Sequence, residues 1–437
     1  MKHRLILLGF ISFGIALGYA EVGIEFKYEL LNDESVRITG IAQGENIELN
    51  NVIIPETVNY NGKEFYISEL GDNAFRGLDI EAIRFPASLK KIGAGCFTDC
   101  KNLINVGFND GLESIGDYAF SGSALKELFL NSPKIELGEY SFSHSPIEKI
   151  EIAVGSEVTL KKGVFSYCQL RNLSVPGSIY TIPSEAFAYN PIQILTLSKG
   201  GNIVIEENAF DGCRISKMRI ERESFDINAN AFIPTGFVVN SLAESPTFRN
   251  LGRWSENSVF IIPEVYKDKY DESGVLDDKI SVSLSYSNGE PTGVLFVGTG
   301  ANVFSNEEMY EDIEEDLALF TADDILYVKR GEEITLYLHA VNLSDDIVGG
   351  NAPFTLSING KVYTAQSGLL KVKFDNDSEI LVEPRQSGVL NIFNGLNEDE
   401  VKELYDLNGL RIDENNEVEK GIYIIREGSS YRKVIVK

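Results

Sequence analysis

The sequence has few of the residues that most often carry out chemistry. Its 437 residues include three histidines, one tryptophan and four cysteines. Positive charge is also scarce, because 39 lysines and arginines stand against 66 aspartates and glutamates, for a formal net charge of −27. A field of that sign repels phosphate backbones, so no nucleic-acid partner is expected.

Motifs of the common catalytic sites are missing as well. The chain has no H-E-x-x-H, P-loop or dinucleotide-binding fingerprint. Beyond the first residues its histidines are His144 and His339, which lie in different predicted domains without a nucleophile motif nearby. With 66 acidic residues some pair will always lie at a catalytic distance, so a carboxylate-pair enzyme stays an alternative. We predict no enzymatic activity, no cofactor and no metal.

Long apolar runs are missing after residue 20, so no transmembrane segment is predicted. Residues 1–20 have the order of a secretory signal peptide: a basic start, the apolar run Leu5–Leu17, and small residues at the cleavage positions. An uncleaved anchor is the alternative. The sequence therefore predicts an exported protein, at the cell surface or outside the cell and associated with the outer membrane.

A period of 22 or 23 residues runs through the next part of the chain. A small residue followed by phenylalanine recurs at this spacing, and an L-x-x-L-x-L series runs in phase with it. Two apolar series with one period indicate a solenoid, whose coils bury their apolar residues against one another. The phenylalanines are Phe75, Phe97, Phe120, Phe142, Phe165, Phe187, Phe210 and Phe232.

Spacing within one repeat predicts the shape of a coil. The last two apolar residues of L-x-x-L-x-L share one face of a short strand. The phenylalanine segment, often flanked by glycine or asparagine, predicts a tight helical turn on the opposite side. A second short apolar piece, such as Leu89 and Ile92, lies between them. Coils about 4.8 Å apart would form a parallel sheet along one side.

These units resemble the BspA-like leucine-rich repeats of bacterial surface proteins, which read approximately L-x-x-I-x-L-P and I-G-x-x-A-F-x-G-C. The match includes I-G-D-Y-A-F-S-G at Ile115–Gly122 and A-F-D-G-C at Ala209–Cys213. The segment Phe260–Pro263, with Tyr266 and Tyr270 after it, resembles the terminal unit of such arrays. The resemblance covers about residues 50–265 and implies binding of a host extracellular protein.

The repeat register also assigns a role to the cysteines. Cys100, Cys168 and Cys213 each lie three residues after a repeat phenylalanine, on one interior line. The closest two of them are two coils apart, or about 9–10 Å, whereas a disulfide needs Cα atoms within roughly 7 Å. Cys96 and Cys100 share one turn, in a strained geometry for bridging. We predict that all four are small buried hydrophobes, without a disulfide or zinc site.

Candidate binding residues come from outward positions of the predicted strands. Phe129 is the informative one, because a large apolar side chain there has no core to enter. Lys126, Lys149, Arg171 and Lys217 lie beside this row and make the face less acidic than the rest of the chain. Ordinary exposed sheet is the alternative to a protein- or glycan-binding face. The row consists of Arg84, Gly107, Phe129, Glu151, Ser174, Thr196 and Arg219.

A second candidate is a column formed by His144, Tyr167 and Tyr189, which occupy one position in three successive coils. Such a column could hold a sugar ring or a partner side chain, and packing of the turns is the alternative.

After about residue 270 the period is lost. Alternating segments such as Ile280–Tyr286, Ile334–Leu338 and Phe354–Ile358, with Asn-Gly corners at 288–289 and 359–360, predict an all-β sandwich. Between its strands, Glu307–Asp316 carries seven carboxylates in ten residues. This run is expected to be a solvated loop or helix face, with a cation site as the alternative.

The last residues carry a further pattern. Leu404–Ile412, Lys420–Ile425 and Lys433–Lys437 predict three short strands joined by an Asn-Gly corner and a glycine-containing loop. They resemble the C-terminal sorting domain of type IX secretion substrates, D-L-x-G-R-x-V followed by K-G-I-Y-I and a basic strand. Leu410 stands where arginine is usual. The resemblance implies recognition by an outer-membrane secretion machine.

The predicted fold is mainly β with short helical turns, a leucine-rich-repeat solenoid followed by a sandwich-like domain and a short β tail. The predicted function is a surface binding or adhesion protein that recognises an extracellular or host protein. A glycan-binding protein of a polysaccharide capture system and a structural surface protein without a ligand are the alternatives. The predicted segments are a signal peptide at 1–20, an N-terminal cap at 21–50, the solenoid at 51–270, the sandwich at 275–385 and the tail at 398–437.

Overall fold

The computed structural model of the chain describes residues 7–8, 24–42, 49–233, 236–243, 258–272, 276, 278–286, 293–299, 318–340, 354–365, 369–382, 403–406, 411–412, 421–427 and 430–436. The chain divides into two compact units, Met1–Asp278 and Lys279–Lys437. No helix within these ranges is long and apolar enough to cross a bilayer. The predicted acidic run 307–316 and the corner at 288–289 lie outside the described residues.

The first unit is a solenoid with coils of about 23 residues, as predicted. Each coil begins with a first strand. These strands belong to three separate sheets, and within each sheet neighbouring first strands pair in parallel and in register, as Leu128 does with Ile150. Numbered in chain order along the whole molecule, the first strands are β4 Asn51–Ile53, β7 Ala82–Arg84, β9 Asn105–Gly107, β11 Glu127–Leu130, β13 Lys149–Ile152, β15 Asn172–Val175, β17 Ile194–Gly200, β20 Lys217–Arg222, β23 Val238–Ser241 and β24 Val259–Pro263.

A second strand follows on another side of each coil, formed by the short apolar piece between the two main series. These strands form two sheets, within which neighbours pair in parallel because similar residues recur at the same place in successive coils. They are β6 Lys63–Leu70, β8 Lys91–Ile92, β10 Ser114–Ile115, β12 Lys134–Leu137, β14 Glu157–Leu160, β16 Thr181–Ile182, β18 Ile203–Ile205 and β21 Phe225–Ile227, with β5 Thr57–Tyr60 as a hairpin partner of β6.

The repeat phenylalanines form a single column inside the solenoid. Adjacent rings from Phe75 to Phe232 are stacked, with centroids 5.0 to 5.6 Å apart. Each ring is buried. One coil has no second layer to cover its ring, so the column exists only because the coils stack. The predicted alignment is confirmed.

The turn that carries each phenylalanine is tight, as predicted, and alternates two kinds of hydrogen bond instead of forming a continuous helix. Phe75 and Gly77 donate their backbone N–H groups to carbonyls of the next coil. The residues between them, such as Arg76, donate to the carbonyl three residues earlier. The turns of two coils also contain two-residue strands, β19 Phe210–Asp211 and β22 Phe232–Ile233.

The position three residues after each phenylalanine forms an interior row of donors. In five coils its side chain donates to the carbonyl oxygen of the preceding coil's phenylalanine, with either S–H, O–H or N–H as donor. The pairs are Cys100 with Phe75 at 3.1 Å, Ser145 with Phe120 at 2.8 Å, Cys168 with Phe142 at 3.4 Å, Asn190 with Phe165 at 2.7 Å and Cys213 with Phe187 at 3.3 Å.

All four cysteines are buried and free, as predicted. Burial raises the pKa of Cys100 to about 11 and the pKa values of Cys168 and Cys213 to about 12. Burial also raises the pKa of Cys96 well above its ordinary value. The thiols therefore remain protonated at neutral pH, and the interior row uses three of them as hydrogen-bond donors as well as small apolar groups.

Both ends of the solenoid are closed by other elements. At the start, the antiparallel strands β2 Phe26–Leu30 and β3 Ser35–Ile41 extend the sheet of second strands. The strand β1 Leu7–Leu8, which lies within the predicted signal peptide, pairs with β2. At the other end, a 3₁₀ turn and the helix α1 Lys267–Glu272 follow β24. The helix buries Tyr270, whose hydroxyl lies 2.6 Å from the Ser241 hydroxyl.

The second unit contains two antiparallel-rich sheets, as expected for a sandwich-like domain. In the first sheet the order is β28-β25-β33-β30-β31, and in the second it is β27-β26-β29-β32. The predicted Asn-Gly corner at 359–360 is confirmed between β30 and β31, with φ values of 49° and 79°. The strands are β25 Lys279–Tyr286, β26 Gly293–Thr299, β27 Ala318–Phe320, β28 Asp324–Lys329, β29 Glu333–Ala340, β30 Phe354–Ile358, β31 Lys361–Ala365, β32 Leu369–Lys373 and β33 Ser378–Val382.

The tail forms a sheet of four strands in the order β35-β34-β36-β37, one strand more than predicted. The additional strand arises because the predicted Leu404–Ile412 segment contributes two strands, which pair in an antiparallel manner. The four are β34 Glu403–Asp406, β35 Arg411–Ile412, β36 Gly421–Glu427 and β37 Ser430–Val436.

Replacing one ring of the interior column is expected to weaken the fold strongly. Phe142 is fully buried between two other rings, so Phe142→Ala should lower the free energy of unfolding by about 3–5 kcal/mol. Phe129→Ala is the matched control, because that ring is 45% exposed and its loss should cost about 1 kcal/mol or less. Guanidinium titration followed by circular dichroism measures both. Equal losses would contradict the column.

The buried thiols are expected to resist modification in the folded protein. Ellman's reagent at pH 8 should label none of the four cysteines quickly, and all four after denaturation, because burial keeps them protonated and out of reach. Rapid labelling of the native chain would show that the interior row is open to solvent.

Candidate functional site

The outer face of the first strands carries the residues predicted from the repeat. Phe129 lies opposite Glu151, while the neighbouring Leu128 is buried. Across β15, β17 and β20 the residues Ser174, Thr196 and Arg219 lie side by side. Arg84 pairs with Gly107 in β7 and β9. We call these seven residues the strand-face row.

Phe129 is the exposed aromatic residue of this row, with 45% of its surface accessible. The ammonium nitrogen of Lys149 lies 6.0 Å from the ring centroid, at the outer limit of a cation–π contact. The same ammonium forms an ion pair with Glu151 on its own strand. Hydrogen bonding to Glu151 raises the pKa of Lys149, so its charge is retained at neutral pH. An exposed ring with charges fixed around it is suited to contact with an apolar side chain of a partner.

The predicted basic residues beside the row do not form one line. Lys149 and Lys217 begin β13 and β20, whereas Lys126 and Arg171 precede β11 and β15 by one residue. Lys126 and Arg171 are exposed, and neither has an ion pair with another described residue. Within the row itself, Arg219 is paired with Glu221 at 2.6 Å. The structure therefore separates Lys149 and Arg219, which are held by carboxylates, from the exposed Lys126 and Arg171.

The row extends one coil further at each end than the repeat pattern predicted. Ile53 pairs with Arg84 and is 66% exposed, and Asn240 pairs with Arg219. Ile53 could have been found from the sequence, because V-I-I-P at 52–55 has the pattern of I-R-F-P at 83–86. Asn240 has no comparable signal.

The predicted column of His144, Tyr167 and Tyr189 is a tight aromatic stack. Ring centroids lie 4.5 Å apart in the first pair and 4.6 Å apart in the second, with interplanar angles of 15° and 12°. This spacing leaves no room for a sugar ring between two members of the stack. A ligand can reach only the ring edges and the outer face of the first ring.

A second stack, missed by the sequence reasoning, lies on the same turns. Tyr118 and Tyr140 are stacked with centroids 5.3 Å apart. The Tyr140 ring lies over Gly163 of the next coil, where any side chain would overlap it. Its hydroxyl donates to the Glu185 carboxylate at 2.7 Å. The sequence contains a signal for this second stack, because both tyrosines lie two residues before a repeat phenylalanine.

Both stacks occupy positions with a left-handed backbone. In seven successive coils the residues two before and two after the phenylalanine have φ between 53° and 71°. This conformation lets alternate N–H groups of the turn point to the next coil. Left-handed φ costs a bulky residue about 1 kcal/mol or more, whereas glycine adopts it freely. The aromatic residues Tyr118, Tyr140, His144, Tyr167 and Tyr189 therefore occupy places where glycine would be the less strained choice.

Carboxylates lie at the end of both stacks. Tyr189 donates to Asp211 at 2.9 Å, which raises the pKa of the tyrosine hydroxyl. Hydrogen bonding to Tyr140 lowers the pKa of Glu185, which also pairs with Lys162 at 3.1 Å. These contacts hold the phenol rings in place and leave negative charge on this side of the solenoid.

The described residues offer little for catalysis. No group of three or more His, Cys, Asp or Glu side chains among them is arranged to hold a metal ion. His144 is packed in an aromatic stack, and the thiols are buried and protonated. What the arrangement offers is two rigid surfaces for contact, the strand-face row and the stacked aromatic turns.

Comparison with known proteins agrees with this reading of the repeat. Residues 68–193 and 158–237 match the family model for the BspA type leucine rich repeat region, in six copies. No curated protein matches the chain. Leucine-rich-repeat proteins are typically non-enzymatic binding proteins, and surface proteins with BspA-like repeats are generally exported.

Several solved structures are similar to parts of this chain. A leucine-rich repeat protein from Bacteroides capillosus ATCC 29799 is 24% identical over 29% of this chain and 94% of its own, with a TM-score of 0.27. A leucine rich cell surface protein from Faecalibacterium prausnitzii A2-165 is 14% identical over 54% and 78%, with a TM-score of 0.32. A leucine-rich repeat protein from Bacteroides ovatus ATCC 8483 is 17% identical over 61% and 82%, with a TM-score of 0.29.

Those similarities say nothing about a ligand. The family match and the observed coils agree on the repeat itself, since the matched residues are those that supply the stacked phenylalanines. Residues 68–237 of this chain are therefore similar to leucine-rich repeats of the BspA type.

Proposed function

We propose that this protein is an exported cell-surface protein that binds an extracellular protein through the strand-face row. The repeat family supports a binding or surface role, and the rigid interior supports a preformed contact surface. Because the coils are held by their phenylalanine column, the backbone that carries the row does not have to be ordered when a partner binds.

The exposed ring of Phe129 is the observation that carries this proposal. Binding energy in protein interfaces is concentrated in a few aromatic or arginine side chains, surrounded by contacts that exclude water. Phe129 has an ion pair beside it. The exposed Lys126 directly precedes the strand of Phe129, and the exposed Arg171 directly precedes β15. Arg84 lies on the same row and suits an acidic or polar rim on the partner.

Export and attachment form the second part of the proposal. Residues 1–20 would direct the chain out of the cytoplasm, and the tail at 398–437 would act as a sorting signal at the outer membrane. The tail's four-stranded sheet contains the strands that its resemblance to sorting domains implies, and this supports the assignment.

Changing Phe129 is expected to abolish recognition without affecting the fold. The full chain and its Phe129→Glu variant would be compared on a panel of purified extracellular matrix proteins and oligosaccharides. A specific protein ligand should lose about 2 kcal/mol or more of binding free energy, because a carboxylate replaces the apolar contact. Surface plasmon resonance measures the change, and thermal unfolding checks that the variant is folded.

Val154→Glu is the matched control, because Val154 is fully exposed and lies outside the strands, and the change in charge is the same. It should leave binding unchanged. Protein binding that is indifferent to Phe129→Glu would contradict the proposed face. Retention of oligosaccharides alone, or of nothing, would favour the glycan-binding or purely structural alternative.

Removing residues 398–437 is expected to stop delivery to the cell surface. In a bacterium with type IX secretion, the full chain should be digested by protease added to whole cells, whereas the truncated chain should be protected inside the outer membrane. The control is truncation of an unrelated secreted protein that has no such tail. Equal digestion of both forms of this protein would contradict the sorting role.

A further inference from the structure

His144 is the first ring of the His144–Tyr167–Tyr189 stack. No other ring among the described residues covers its outer face, because the residue at this position in the preceding coil is a glycine. The corresponding position in the preceding coil is Gly122, and in the coil before that it is Asp99. We call the space at Gly122, between Asp99 and His144, the Gly122 gap. All three residues have the left-handed backbone of this column, with φ values of 60°, 71° and 58°.

Backbone hydrogen bonds hold the three coils around this gap in regular order. Asp99 donates its N–H to Ser121 and Gly122 donates to Ser143, both at 2.9 Å, and His144 donates to Ser166 at 3.0 Å. Coils spaced by about 4.8 Å place Asp99 and His144 about 9–10 Å apart along the column. The Asp99 side chain extends toward Gly122, so a planar group that stacks on His144 at this level would lie beside the Asp99 carboxylate.

The two sides of the gap have complementary chemistry. His144 presents an aromatic face, and it is an exposed residue. On the other side, Oδ1 of Asp99 lies 3.0 Å from the place where a Gly122 side chain would begin. Asp99 is also exposed, and its carboxylate has no hydrogen-bond or ion-pair partner among the described side chains. A shallow depression lined by Gly77, Asp79 and Lys101 borders Asp99 on its other side.

We propose that the Gly122 gap binds the guanidinium group of an arginine presented by a partner protein. A guanidinium is planar and cationic, stacks on aromatic rings, and donates paired hydrogen bonds to a carboxylate. It therefore satisfies both sides of the gap at once. The net charge of −27 favours the approach of a basic segment. A neutral sugar would leave the carboxylate without a counter-charge, and an anion would be repelled by it.

This site lies on the turns of the solenoid, so it is independent of the strand-face row. A partner could use either surface alone. Binding at the gap also gives the strained His144 a contact that glycine could not provide, which is consistent with an aromatic residue at a left-handed position.

Nuclear magnetic resonance of the three histidines tests the proposal directly. The full chain with ¹³C-labelled histidine would be titrated with N-acetyl-arginine amide, and then with N-acetyl-lysine amide. Arginine amide should shift the ring signals of His144 saturably in the millimolar range, while His3 and His339 serve as internal controls and stay unchanged. Lysine amide should bind several-fold more weakly, because an ammonium cannot stack or donate in a plane.

Two variants and a control decide the outcome. Asp99→Asn should weaken arginine binding about tenfold through loss of the charged acceptor. Gly122→Tyr should fill the gap with a ring, as tyrosine does two coils later, and block binding. Glu157→Gln, which removes a charge from the sheet of second strands, should have no effect.

Circular dichroism would confirm that each variant is folded, and if Gly122→Tyr is not, Asp99→Asn alone decides. Equal shifts of all three histidines, equal binding of the two amides, or unchanged affinity in Asp99→Asn would each overturn the assignment.

Discussion

Contact between identical rings in successive coils is the interaction on which the first unit depends. A single coil of about 23 residues has too little apolar surface to form a core, and it leaves the N–H groups of its turn without acceptors. Stacking solves both problems in one step. Each phenylalanine covers the next, and alternate N–H groups of the turn reach carbonyls of the following coil. The sheets on the other sides then follow in register.

The polar groups inside the regular solenoid need hydrogen-bond partners at the same place in each coil. The carbonyl of each repeat phenylalanine can accept a second hydrogen bond, and the residue three positions later in the next coil supplies the donor. Cysteine, serine and asparagine all perform this role, which explains why residues of different polarity alternate at one buried position. The three cysteines of this row are therefore structural donors of modest strength, and their spacing reflects the repeat instead of a disulfide framework.

Exposed positions do not have to fill the interior or pair buried polar groups, so the coils differ from one another there. On the strand face, charges are partly neutralised within single strands, and the ring of Phe129 remains accessible. On the turns, left-handed positions accept glycine at no cost, yet several carry tyrosine or histidine. The same regular scaffold thus displays two surfaces of different chemistry, one with exposed cations and one bordered by carboxylates such as Asp99 and Asp211.

Much of this protein is determined by periodicity in the sequence. The spacing of the phenylalanines and of L-x-x-L-x-L predicted the coils, the buried thiols and the outward position of Phe129, because burial in a stacked repeat depends only on which residues recur together. Spacing could not show that Lys149 forms an ion pair with a carboxylate of its own strand. Nor could it show that the His144 stack has no room for a sugar ring, or that Ile53 begins the strand-face row. Those features depend on distances between side chains of different coils and on backbone angles, which arise only when the coils are packed.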